Sequence, residues 1–166
     1  MTLPTLRHNT MGAVRVGNDT PVYFASMGDG TNAAVWFQLP FETYDGYSME
    51  DSVYEKLSAR NVQNIFLVDY DNGALYEVDY GLLQTPEKVI IPSGYTREKA
   101  LDEMRLPPIA DTLLREDSFV HEPNADSSGP QRLVPKRKLR LIEPNLDRLK
   151  ERGTSYRTLM FEDFES

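Results

Sequence analysis

Residues 44–80 constrain the fold most, because an amphipathic helix there runs into a β-hairpin with almost no connecting sequence to spare. Ser48 followed by Asp51 has the form of a capping box, in which the Ser48 hydroxyl accepts from the Asp51 backbone N–H and the Asp51 carboxylate reaches back. Glu50 and Asp51 place negative charge at the positive end of the helix dipole. Met49, Val53 and Leu57 recur every fourth residue and so share one face, which predicts that this face is buried. Asn61 suits a left-handed C-cap, and Val62 begins the return.

Residues 64–70 and 74–80 are β-rich runs separated by Asp71, Asn72 and Gly73. Asn-Gly tolerates the positive φ of a type I′ turn, so a hairpin with a two-residue loop is predicted. In that register Leu67 faces Val78, Val68 faces Glu77 and Asp69 faces Tyr76. Ile65, Leu67, Tyr76 and Val78 then form one face for the helix to cover.

Upstream, residues 1–12 read as an irregular arm, and residues 13–16, 22–27 and 33–39 as three short strands around Gly-rich turns. Residues 41–47 read as an aromatic connection. The order βββαββ predicts an α+β domain over residues 13–120: one antiparallel or mixed sheet of about five to six strands with a helix across one face. Residues 87–91 add a short edge strand. Residues 96–105 form a helix with Ala100, Leu101 and Met104 on its apolar side. Pro108 opens a further short helix through Ile109, Leu113 and Leu114. Residues 121–131, HEPNADSSGPQ, hold no large apolar side chain and predict a linker. Residues 132–166 predict a basic C-terminal extension with a short helix carrying Leu146 and Leu149 and ending at Gly153.

Charge supports that division. The chain of 166 residues has net charge −8; residues 1–130 carry 9 Lys+Arg against 20 Asp+Glu, net −11, and residues 131–166 carry 9 against 6, net +3. There is no cysteine, which excludes disulfides and thiolate metal sites and fits a cytoplasmic or intravirion setting. No apolar run reaches the length of a membrane span, and the start, MTLPTLRHNT, lacks the apolar segment of a signal peptide.

Three constellations bear on chemistry. Asp69 and Glu77 lie on adjacent strands, after a helix bearing Glu50. This arrangement loosely resembles restriction-endonuclease-like nucleases, in which an Asp and a Glu on neighbouring strands share Mg²⁺ and a Lys two residues after the Glu supports the attacking water. The residue two after Glu77 is Asp79, a departure at the decisive place. With a two-residue turn, Asp69 and Glu77 also point to opposite faces, whereas a three-residue loop with a bulge at Gly73 would return them to one face. Only His8 and His121 exist, one in the arm and one in the linker, with no nucleophile placed beside either; no phosphate-cradling glycine motif is present. No metal or cofactor is therefore called for.

Arg132, Lys136, Arg137, Lys138 and Arg140 cluster closely, followed by Arg148, Lys150 and Arg152. Such a run can neutralise phosphates of a nucleic acid, or it can lie against an acidic surface of its own chain or of a partner. Trp36, Phe41, Tyr44 and Tyr47 concentrate before the helix, and Phe161 and Phe164 lie in an aromatic-acidic end; any of these left exposed are candidates for a protein interface.

Residues 41–80, with Gly46-Tyr47 before the helix, Leu57 in it, Val62 after it and Leu75-Tyr76-Glu77-Val78 after the turn, resemble small uncharacterised acidic proteins of haloarchaea and their viruses. The resemblance implies a fold and a habitat and carries no catalytic residue. The functional expectation is a non-enzymatic interaction or assembly module, of a virus or mobile element, whose basic tail contacts an acidic partner. The alternatives are a nucleic-acid-binding accessory protein using the tail, and a degenerate Mg²⁺-dependent nuclease using Glu50, Asp69 and Glu77.

Overall fold

The computed structural model describes residues 3–4, 6–16, 20–41, 45–92, 94–110, 114–122 and 129–160. Strands β1 (Leu6–Val16), β2 (Thr20–Met27) and β3 (Asn32–Gln38) form an antiparallel meander. The first of these begins inside the expected N-terminal arm: Leu6 pairs with Met27 and is fully buried.

After β3 comes a strand that the sequence pattern hid. β4 (Gly46–Glu50) occupies the expected connection and the expected cap. It buries Tyr47 and Met49 and leaves Ser48 and Glu50 half-covered, the alternation of a strand. Gly46 lies so close to the Val134 carbonyl of the neighbouring strand that a Cβ would collide with it. Helix α1 (Asp51–Ala59) therefore starts with Glu50 as its N-cap, which makes no side-chain capping bond. The capping box is not formed, because Ser48 is committed to the strand; the Asp51 N–H donates instead to the Pro130 carbonyl, 3.1 Å away.

The other end of α1 ends as its sequence suggests. Asn61 takes φ +51°, its N–H donates to the Ser58 carbonyl, and the Val62 N–H donates to the Leu57 carbonyl. That is a Schellman closure, with Leu57 and Val62 in the same core.

The chain returns as β5 (Asn64–Asp69), parallel to β3, and turns into β6 (Leu75–Val78). The hairpin register differs from the expected one by two residues: Leu67 pairs with Tyr76 and Val68 with Leu75. The loop is Tyr70, Asp71, Asn72 and Gly73, with Gly73 at φ +76° and its N–H donating to the Asp69 carbonyl. The Asp69 carboxylate selects this longer loop by accepting from the backbone N–H groups of Asp71 (2.7 Å) and Asn72 (3.3 Å). A shift of two preserves which side chains share a face, so Ile65, Leu67, Tyr76 and Val78 do pack with Val53 and Leu57 of α1.

Helix α2 (Tyr80–Gln84), strand β7 (Lys88–Pro92), helix α3 (Arg97–Met104) and strand β8 (Phe119–Glu122) follow. α3 matches its expected span, with the Thr96 hydroxyl accepting from the Lys99 N–H and Ala100 and Met104 buried. Leu114 is buried as its pattern suggests, whereas Ile109 is exposed and Leu113 lies outside the described residues.

The C-terminal stretch departs most from expectation. β9 (Gln131–Pro135) lies between β4 and β7, so the small sheet runs β4-β9-β7-β8. β10 (Arg140–Glu143) pairs with β6 and completes a six-stranded sheet in the order β1-β2-β3-β5-β6-β10. Residues 131–143 are thus stitched into both sheets, and β7, expected at an edge, is interior. The expected linker is likewise trimmed: its first two residues extend β8 and its last begins β9, while residues 123–128 lie outside the described set. The fold is α+β, with one mixed sheet carrying α1 across a face as expected and a second sheet that the sequence did not disclose.

Apolar packing covers both faces of the large sheet. One core joins Trp36, Leu67 and Tyr76 to α1, Met49, Leu83 and Val134. On the other, Val35, Phe37, Phe66 and Leu75 meet Leu6, Leu146 and Met160, the last from helix α4 (Tyr156–Met160). Leu146 opens a 3-10 turn (Leu146–Leu149) capped by Asn145, where the short C-terminal helix was expected. Among the described residues, no helix is long and apolar enough to cross a membrane.

Candidate functional site

Asp69 sits at the end of β5, only 2% exposed. One oxygen accepts from the Tyr47 hydroxyl at 2.6 Å and the other from the two loop N–H groups. Burial foremost, then the Asp69 carboxylate, pushes the Tyr47 hydroxyl far above the ordinary tyrosine range. The carboxylate therefore clamps the hairpin to β4, and its acceptor capacity is spent on fixed donors.

Glu77 pairs with Phe66 across the hairpin and so belongs to the opposite face of the sheet from Asp69. It is ion-paired with Arg140, its neighbour on β10. Glu50 is in the other sheet, at the start of α1. The three carboxylates of the nuclease-like constellation are not brought together, and among the described residues no group of three or more His, Asp or Glu is placed to hold a metal ion. His8 and His121 fall on β1 and β8, on different sheets.

The basic residues divide by depth. Arg132, on β9, is 1% exposed. Its guanidinium donates to the carbonyls of Leu83 (2.7 Å) and Met104 (3.2 Å) and to the Asp51 carboxylate (2.8 Å), and it lies 3.8 Å over the Tyr54 ring. One side chain thus ties β9 to α1, α2 and α3.

The other seven lie on the surface, five of them beside acids. Arg137 (2.9 Å) and Lys138 share Glu87, and the Lys138 hydrogen bond foremost holds the Glu87 carboxyl below its ordinary range. Arg148 pairs with buried Glu143, and Lys150 with Asp147 at 3.3 Å. Lys136 and Arg152 are exposed and hold no ion pair among the described residues. Six of the eight cations named from the sequence therefore face a carboxylate of their own chain.

Of the aromatics proposed for an interface, Trp36 and Tyr47 are buried, because their strands turn them into the core under α1. Phe41 is half-buried, and Tyr44, Phe161 and Phe164 lie outside the described residues. Among the described residues the exposed large apolar side chains are different ones, Leu39, Tyr70, Ile109, Leu141 and Leu149, and of these Leu39 at 58% and Tyr70 at 47% lie at the ends of adjacent strands. Because β3 and β5 are parallel with Gln38 opposite Asp69, the two strands end together, and the Tyr70 N–H donates to the Gln38 carbonyl at 3.1 Å. The Tyr70 ring stacks on Phe37 (5.3 Å, 24°) and approaches Tyr156 (6.5 Å). Leu39 and Tyr70 were legible only as strand-end residues; nothing local marks two strand ends that lie far apart in sequence as neighbours.

No protein family, curated protein or solved structure matches this chain.

Proposed function

We propose that this chain is a non-enzymatic protein-interaction or assembly module that meets its partner on the apolar end of the six-stranded sheet. The observation that carries this reading is the shared exposure of Leu39 and Tyr70 at that end, with Phe41 half-covered in the loop beside them. Exposed aromatic and aliphatic groups on fixed strand ends lose little entropy on docking and supply the central contacts of an interface. The basic run is a weaker candidate for the contact, since most of its cations already face their own acids. A cytoplasmic or intravirion setting, with a virus or mobile element as the source, remains the setting proposed from composition.

Photocrosslinking tests this reading. A photoreactive residue at position 39 should capture a defined partner or a second copy, and Tyr70→Ser should abolish that capture. The same probe at position 109, an exposed apolar position elsewhere on the molecule, serves as the control. Equal capture from both positions, or none from position 39, defeats the proposal.

A second reading keeps nucleic acid as the partner, favoured by the exposure of Lys136, Arg137, Arg140 and Arg152. Anisotropy of labelled duplex DNA separates the two. If only the unpaired cations contact phosphate, log K against log salt has a slope of about −2. A slope of about −6, the value for all seven surface cations, would mean that the surface ion pairs open to phosphate, and it would move the function to nucleic-acid binding.

A further inference from the structure

We propose that the polar groove between the C-terminal end of α1 and helix α2 is a binding site for a neutral oligosaccharide. Two adjoining depressions, of about 480 and 410 Å³, share Gln63 and Tyr80 in their walls. Their size suits a ligand of about two or three sugar rings.

The first depression presents the amides of Asn61, Gln63 and Gln84, all exposed, and no hydrogen bond engages these side chains among the described residues. A carboxamide offers both donors and an acceptor, the complement of a hydroxyl that donates and accepts at once. Three carboxamides around one ring therefore match the repeating hydroxyls of a sugar better than they match a phosphate, which only accepts, or an apolar ligand.

Tyr80 supplies the ring. It leans on Tyr54 (5.8 Å, 32°), and Tyr54 lies under the Arg132 guanidinium. Through Tyr54, which Arg132 covers and which Tyr80 meets at a tilt, the ring is braced at the groove wall, where its electron-rich face can meet the C–H face of a pyranose.

The backbone beneath the amides is equally fixed. Asn61 is held by the Schellman closure of α1, and the Gln63 N–H donates to the Asn32 carbonyl at 3.0 Å. Gln84 ends α2, whose preceding residue Leu83 is buried and gives its carbonyl to Arg132. Binding therefore has to order the three carboxamide side chains but not the backbone that carries them.

Charge sets the ligand's neutrality. The second depression carries Glu77 and Asp79 against Lys138 and Arg140, two of each sign. The depression therefore carries no net charge to draw an ion of either sign, and hydroxyl groups can bond to both signs.

Saturation-transfer NMR on the full chain, with trisaccharides of gluco, manno, galacto and N-acetylglucosamine configuration, tests the site. At least one should bind, with an affinity unchanged by added salt. Gln63→Ala with Gln84→Ala, both at exposed positions that can be truncated without unfolding, should weaken it by at least about tenfold. Tyr80→Leu should do the same, and Tyr70→Ser at the distant sheet end should leave it unchanged. The proposal fails if none of the four sugars transfers saturation at about 10 mM, which bounds Kd above the millimolar range. It also fails if binding survives loss of both amides, or if salt abolishes it.

Discussion

Arg132 and Arg140 come from one basic run, and the fold places them in opposite surroundings. Arg132 is buried, with two carbonyls, one carboxylate and an aromatic ring around its guanidinium; Arg140 is 68% exposed at the side chain and leans on Glu77 across a strand edge. The same residue type is in one case an internal cross-brace of four elements and in the other a solvated surface pair. The difference follows from the strands that carry them. β9 is interior to the small sheet, where the desolvated Arg132 has both terminal guanidinium nitrogens bonded and leaves only Nε without a partner, while β10 is the edge of the large sheet, where water competes for every pair.

Mutations can break or sharpen that contrast. Arg132→Ala leaves the Asp51 carboxylate and two carbonyls without their donor and should cost roughly 3–5 kcal/mol in urea unfolding. Arg132→Lys should recover little, because an ammonium cannot bridge three acceptors and cover Tyr54 at once. A loss as small as that of an exposed arginine would show that depth does not separate the two residues.

Tyr47→Phe removes the hydroxyl that holds Asp69 between sheets and should cost about 1–3 kcal/mol. The same clamp makes a local prediction: hydrogen exchange at Asp71 and Asn72 should quicken in that variant. Gly73→Ala forces a Cβ into a left-handed residue, 3.1 Å from both the Asn145 carboxamide oxygen and the Tyr156 hydroxyl, and should cost about 1–2 kcal/mol. It tests whether the hairpin loop and the C-terminal turn pack as one unit.

Alkaline titration followed by tyrosinate absorbance reads burial directly. Burial first, with Tyr80 beside it, pushes Tyr54 up to about 12, and burial with the Asp147 hydrogen bond does the same for Tyr156. A raised tyrosine pKa means stability that is fully present below the unfolded value of 10.0 and lost as pH rises through about 12. Arg132→Ala, by removing the cation over the Tyr54 ring, should raise the Tyr54 value further and leave Tyr156 unmoved. Arg140→Ala closes the series with a loss under about 1 kcal/mol, since an exposed pair is screened and entropically costly. At acid pH the depressed Glu87 makes a matching small contribution, present above its unfolded value and lost as pH falls through the folded one.

The sequence by itself determined what neighbours along the chain can settle. The amphipathic face of α1, its left-handed end at Asn61, the Thr96-capped α3 and a turn ending on Gly73 all follow from groups a few residues apart. The opposite facing of Asp69 and Glu77 followed from the sequence only for a loop with an even number of residues, and the register of the hairpin decided it. Tertiary structure alone decided the rest. β4 was concealed because Ser48 and Asp51 mimic a cap, and only pairing with β9, more than eighty residues later in the chain, makes residues 46–50 a strand. The basic run looked like a tail because its charges are local while its ladder partners, on β4, β6 and β7, are not. Leu39 and Tyr70 became neighbours only when β3 and β5 aligned in parallel. In each case the deciding contact joins distant segments, whose meeting depends on the loop-closure cost and burial gain of the whole fold rather than on any local propensity.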